Sequence, residues 1–306
     1  MRIVSLVPNG TEILFAIGAG GDVVGVSHEC DHPAAARRLP VLTGSTLTPG
    51  MSAAEIDRAV SAQLASGESL YTLAEEEIAR LAPDLIVTQH LCPVCAVSTA
   101  QVDGALAAIA ARAAMTAMAP TALPPTPRTR CPDLLSLDPR TLADVLADIV
   151  RSGEATGRLP AATTLVAALQ DRLDDVRRRV AGRPRPRVLA LEWLDPPFAA
   201  GHWVPEMIEA AGGLDVIGSP GSHAPRLSWE QVEGLDPDIV VAMPCGFDAG
   251  GAAAQIAAIA AHPPWNRLRA ARTGRVHAVD ANGCFSRPGP RLLDGIDELA
   301  RIFHPE

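Results

Sequence analysis

The sequence predicts an α/β protein of two related lobes joined by a long helical connector, and three observations carry that reading. Short apolar runs ending in Gly, Pro or polar residues alternate with longer Ala/Leu helical patterns, the order that builds parallel sheets covered by helices. The chain also echoes itself. Leu81-Ala82-Pro83-Asp84-Leu85-Ile86-Val87 matches Leu235-Asp236-Pro237-Asp238-Ile239-Val240-Val241, and Gly20-Gly21-Asp22-Val23-Val24-Gly25 matches Gly213-Leu214-Asp215-Val216-Ile217-Gly218, in the same order in each half. Between the halves, residues 142–181 form a mostly helical pattern with interleaved Asp and Arg, which Pro160 should break or kink unless it falls in a first turn. The expected division is an N-terminal α/β lobe over 1–138, a connecting helix over 139–182 and a C-terminal α/β lobe over 183–306.

Strands are expected at Ile3–Val7, Val23–Val26, Leu85–Thr88, Val188–Leu191, Ile239–Ala242 and Val276–Val279. Helices are expected at Thr11–Ile17, Glu75–Leu81, Val102–Ala111, Val204–Ala211, Trp229–Gly234, Ala252–Ala261 and Arg291–Phe303. The proline-rich stretch from Pro120 to Pro132 reads as a connector. Gly18-Ala19-Gly20-Gly21 follows a helix and precedes a strand, the reverse of a dinucleotide fingerprint, and reads as a helix C-cap.

Composition limits the functions. Hydrophobic residues make up 48% of the 306 and charged residues 20%, enough apolar material for a sizeable core and too much for disorder. A net charge of −9 with no basic stripe leaves no electrostatic footprint for nucleic acid. No window approaches 18 uninterrupted apolar residues, so no membrane-spanning helix is expected. The N-terminus enters a strand-like run at once, without the charged and apolar regions of a signal peptide, so a cytoplasmic location is expected. In a reducing compartment the six cysteines are thiols, metal ligands or redox groups rather than a disulfide framework.

Ligands of open α/β sheets sit off the carboxyl ends of the strands, so the residues after each strand are the candidates. They are Pro8-Asn9, Ser27-His28-Glu29-Cys30, Gln89-His90-Leu91-Cys92-Pro93-Val94-Cys95, Glu192-Trp193-Leu194-Asp195, Met243-Pro244-Cys245-Gly246-Phe247 and Asp280-Ala281-Asn282-Gly283-Cys284. Of the six cysteines only Cys131 falls elsewhere. Cys30, Cys92, Cys95 and Cys245 could therefore supply thiolates to one zinc or iron ion or to an iron–sulfur cluster, with His28 or Cys284 in reserve. Two other readings stay open: buried or incidental thiols, and a redox dithiol at Cys92/Cys95. With aromatic residues at only 3%, Trp193, His202 and Trp203 stand out as surfaces for a large planar ligand. Pro8, Asn9, His28, Glu192, Phe247 and Asn282 complete the candidate ligand-binding set. No nucleophile elbow, Walker A loop or His-Glu-x-x-His motif occurs.

These residues resemble the helical-backbone (class III) substrate-binding proteins of ABC transporters, in their cobalamin-binding branch. The resemblance rests on Arg2-Ile3-Val4-Ser5-Leu6-Val7-Pro8-Asn9-Gly10-Thr11-Glu12, on Leu81–Val87, on the connecting helix and on Gly274-Arg275-Val276-His277-Ala278-Val279-Asp280. It runs nearly end to end. It implies two Rossmann-like lobes, a stiff helix between them, and a cobalamin, haem, siderophore or metal ligand in the cleft. The chain looks like a sub-branch carrying the cysteines, Gly201-His202-Trp203-Val204-Pro205-Glu206 and Met243-Pro244-Cys245-Gly246-Phe247. Ordinary transport members lack those cysteines and carry a secretion signal, and both departures argue against docking to a permease. The expected function is a cytoplasmic relative of the cobalamin-type binding proteins that binds a metal-containing ligand or metal centre, a small molecule or metal chelate, in the cleft between the lobes. The alternative is an enzyme using a cysteine-held cluster or metal ion.

Overall fold

The computed structural model describes residues 1–48, 50–89, 104 and 131–305. The chain divides into two compact units: residues 1–51, 58–138 and 148–165 in the first, and 52–57, 139–147 and 166–306 in the second.

The first unit holds a four-stranded parallel sheet of order β2-β1-β5-β6, from β1 (Ile3–Ser5), β2 (Val23–Val26), β5 (Leu85–Thr88) and β6 (Asp133–Ser136). Helix α1 (Pro8–Ala16) follows β1, and β3 (Thr43–Ser45) pairs antiparallel with β4 (Tyr71–Leu73). Helices α2 (Ala53–Ser66) and α3 (Glu75–Leu81) precede β5. All four residues of β5 are buried, as expected for a strand covered on both faces. After β6 come α4 (Leu142–Thr156) and α5 (Leu159–Val180). Gly157 at φ +67° separates these two helices, and Pro160 falls in the first turn of α5, where its missing N–H is no loss.

In the second unit, β7 (Arg187–Leu194) is flanked on one side by β10 (Ile239–Ala242), which pairs in turn with β11 (Val276–Ala278). Along its other side β7 pairs first with β9 (Leu214–Asp215) and then, antiparallel, with β8 (Pro197–Ala199). The helices are α6 (Val204–Ala210), α7 (Trp229–Leu235), α8 (Ala249–Ile259), α9 (Pro263–Arg267), α10 (Arg269–Arg272), α11 (Ala281–Cys284) and α12 (Leu292–Phe303). Leu189, Leu191, Val240 and Ala242 pack with Trp229 and Trp265 in one core cluster. The two indoles meet edge to face at 5.8 Å.

The parallel strands of the second unit, β9-β7-β10-β11, repeat the order β2-β1-β5-β6 of the first. Both sequence echoes fall on matching elements, and the longer one makes the same lock twice. The Arg2 N–H donates to Asp84 Oδ2 at 2.7 Å, the Arg2 guanidinium donates to Leu81 O at 2.7 Å, and Asp84 N–H donates to Arg2 O at 2.8 Å. Arg187, Asp238 and Leu235 make the corresponding three bonds, each at 2.8 Å. In each case the helix ends on a left-handed residue before proline, Ala82 or Asp236. The carboxylate thus ties a strand start to the turn that leads into its neighbour. Asp84→Ala and Asp238→Ala are each expected to cost about 1.5–3 kcal/mol in chemical denaturation, the range for a hydrogen bond to a charged acceptor.

The differences from the sequence expectations have local causes. β1 ends at Ser5, not Val7, because Pro8, with its φ preset for a helix, opens α1 three residues earlier than Thr11. α8 starts at Ala249, earlier than Ala252, because the Asp248 side chain caps it by accepting from Gly251 N–H at 2.8 Å. The expected helix Val102–Ala111 lies, apart from Gly104, outside the described residues. Among the described residues, no helix is long and apolar enough to cross a membrane.

Candidate functional site

In the first unit, the loop after β2 is held against α1 by small polar side chains. Cys30 is buried, and its Sγ lies 3.1 Å from Thr11 Oγ1 and 3.2 Å from Ser27 Oγ. The Thr11 hydroxyl also reaches Ser5 Oγ at 2.9 Å. His28 is anchored by Thr43, whose Oγ1 accepts the His28 backbone N–H at 3.0 Å and lies 2.7 Å from Nδ1. The other ring nitrogen faces Glu29 at 3.4 Å. Pro8 is half-buried at the start of α1. Asn9, beside it, is 2% exposed, and its amide nitrogen has no hydrogen-bond partner.

In the second unit, three strand ends and one loop converge. Cys245 N–H donates to Glu192 O at 3.1 Å, which ties the turn after β10 to the end of β7. Asn282 N–H donates to Phe247 O at 3.0 Å, which ties in the loop after β11. Glu192 Oε2 accepts from Gly201 N–H at 3.4 Å, at the long end of the range. Trp193 is half-buried, with its ring centroid 5.9 Å from that of Phe247 and its indole N–H directed at Asp195 O and Ala53 O, at 3.1 and 3.3 Å. Glu192, Trp193, Phe247 and Asn282 are therefore brought together. His202 follows Gly201, and its ring lies 5.6 Å from Trp203 and 5.1 Å from His223. Trp203 turns inward instead. It is 7% exposed and its indole N–H donates to Phe285 O at 2.8 Å, so it is a core anchor rather than a ligand surface.

Cys92 and Cys95 lie outside the described residues, Cys30 belongs to the first unit, and Cys245 is exposed in the second. Among the described residues no three His, Cys, Asp or Glu side chains gather as they would around a metal ion. Cys284 makes a poor reserve. Burial first, then Asp280 and Asp294, push its thiol up to about 11, which keeps it protonated.

Comparison with known proteins gives the family. A family model described as periplasmic binding protein matches residues 3–282. The chain belongs to that family. One relative, an uncharacterized ABC transporter substrate-binding lipoprotein of Bacillus subtilis, is 23% identical across the whole chain and 80% of its own length. The vitamin B12-binding protein of Vibrio cholerae is 23% identical over 97% of this chain and 87% of its own. Among solved structures, a periplasmic heme-binding protein from Roseiflexus sp. RS-1 superposes with a TM-score of 0.69 at 23% identity, covering 99% of this chain and 97% of that one. At that identity the structural likeness shows the fold, which is the periplasmic-binding-protein α/β fold expected from the sequence.

His223, Arg140 and residues 219–226 acquire a neighbour in His202 only through the tertiary structure, and nothing in their spacing marks them.

Proposed function

We propose that this chain is a binding protein for a metal-centred macrocycle of the corrinoid or haem kind, received at the strand-end loops of the second unit. One observation carries the reading. Trp193 and Phe247, two of the few aromatic residues in the chain, meet half-buried at the carboxyl ends of adjacent strands. Glu192 and Asn282 stand beside them as polar groups that orient a ligand. Two apolar ring faces, tilted at 58° to each other, with a few polar groups at their edge suit a large, amide- or carboxylate-fringed ring. The names of the family relatives, which include vitamin B12-binding and heme-binding proteins, support the same class.

The test is a calorimetric and absorption titration of the purified protein with cyanocobalamin and, separately, with hemin. One of the two is expected to bind with micromolar or tighter affinity and a shifted visible spectrum. No heat and no spectral change with either ligand at about 100 μM would end the proposal. Iron, sulfide, zinc and cobalt analysis of protein purified without oxygen separates bound cargo from a cluster held by Cys30, Cys92, Cys95 and Cys245. Variants of Pro8, Asn9 and His28, titrated in the same way, test the strand ends of the first unit.

A further inference from the structure

Gly201-His202 is covered by residues 219–226. The strap is held by backbone bonds: His202 N–H donates to Ser222 O at 2.7 Å, Gly221 N–H to His202 O at 2.9 Å, and Ala199 N–H to Pro225 O at 3.0 Å. It lies so close that a Cβ on Gly201 would meet Ala224 N and Ser222 O at 2.6 Å. His202 is held in the left-handed region at φ +54°, rare for a residue with a side chain. Its Nε2 is buried and has no hydrogen-bond partner. His223, exposed on the strap, sets its ring edge-on to the His202 ring.

The charges around this pair are lopsided. Arg140 is the cation that acts on His202. The carboxylates on neighbouring elements are engaged elsewhere: Asp144 accepts the N–H groups of Arg140 and Thr141, Glu206 accepts that of Leu142, and Glu192 accepts that of Gly201. Arg226, at the far end of the strap, pairs with Asp57 at 3.7 Å and lies over the Phe198 ring.

We propose that residues 219–226 form a pH-sensitive strap, shut over Gly201-His202 while His202 is neutral and released when it is protonated. A proton on His202 Nε2 would be a buried, unpaired and charged donor facing a second imidazole and a guanidinium. Burial first, then His223 and Arg140, hold the His202 pKa below its ordinary value of 6.5. The shut state therefore favours the neutral ring, and its advantage is lost as the pH falls below the ordinary imidazole range. Released, the strap uncovers the Gly201 backbone beside Glu192. Ligand discharge by this route rests on the binding reading above, whereas the motion of the strap does not.

The test is hydrogen exchange on the ligand-free full chain at about pH 7.5 and about pH 5.5, with each rate divided by its intrinsic value at that pH. Protection of the Gly221 and His202 amides is expected to fall several-fold, up to about tenfold, at the lower pH, the limit for one imidazole whose ordinary pKa of 6.5 lies about one unit above it. His223→Gln removes the facing ring, and His202→Asn removes the buried one with a side chain that tolerates positive φ. His202→Asn is expected to abolish most of the fall, and His223→Gln to diminish it. Equal protection at the two pH values in the unaltered chain, or an undiminished fall in His202→Asn, would overturn the proposal.

Discussion

Trp193→Ala is expected to weaken macrocycle binding by about 30-fold, roughly 2 kcal/mol, the scale of a central aromatic anchor. The half-buried indole meets Phe247 and donates to Asp195 O and Ala53 O, so truncation removes one wall of the aromatic pair. Because the ring is only half-buried, the cost to folding stays well below that of removing a core tryptophan such as Trp265, about 3–5 kcal/mol. Trp193→Phe keeps a flat apolar face and is expected to bind within a few-fold of the unaltered chain. Calorimetric titration of the three proteins checks the series. Unchanged affinity in Trp193→Ala would move the ligand away from β7.

The second large effect is on stability. Gly201→Ala is expected to cost about 3 kcal/mol, at the upper end of overpacking. All three atoms that the new Cβ would meet belong to the backbone: Ala224 N, Ser222 O and the carbonyl carbon of His223, at 2.6, 2.6 and 2.8 Å. No side chain can swing aside to relieve them. The melting temperature is expected to fall by roughly 5–10 °C. If the strap yields instead, Gly221 N–H loses its protection against exchange while the melting temperature holds. An unaltered melting temperature together with unaltered Gly221 protection would contradict the observed packing.

The strands read most directly from the sequence are those buried on both faces. Leu85–Thr88 and Ile239–Ala242 are continuous apolar runs, and both are strands over those residues with every side chain buried. Their shared Pro-Asp lead-in made the repeat visible, and the Arg–Asp lock gives that lead-in a physical role. The short strands β3, β4, β6, β8 and β9 were not legible. Two to four residues long, all but β4 contain Gly, Pro, Asp or Ser, and each owes its strand geometry to a neighbour rather than to its own pattern.

The site was legible by the same logic and to the same limit. Open α/β sheets place ligands off their strand ends, which made Glu192, Trp193, Phe247 and Asn282 candidates, and the structure sets them beside one another. Trp203 was not separable from Trp193 by sequence, because only the turn into α6 decides that its indole points at Phe285 O. For Cys30, neither spacing nor composition signals that Thr11 and Ser27 would lie within reach of the sulfur.

Amide exchange with and without cyanocobalamin or hemin measures the location of binding most directly. Occupancy is expected to slow the Gly201, Cys245 and Asn282 N–H groups, whose acceptors are Glu192 Oε2, Glu192 O and Phe247 O. A saturating ligand that leaves those three amides untouched while slowing others would show that the macrocycle sits somewhere else on the chain.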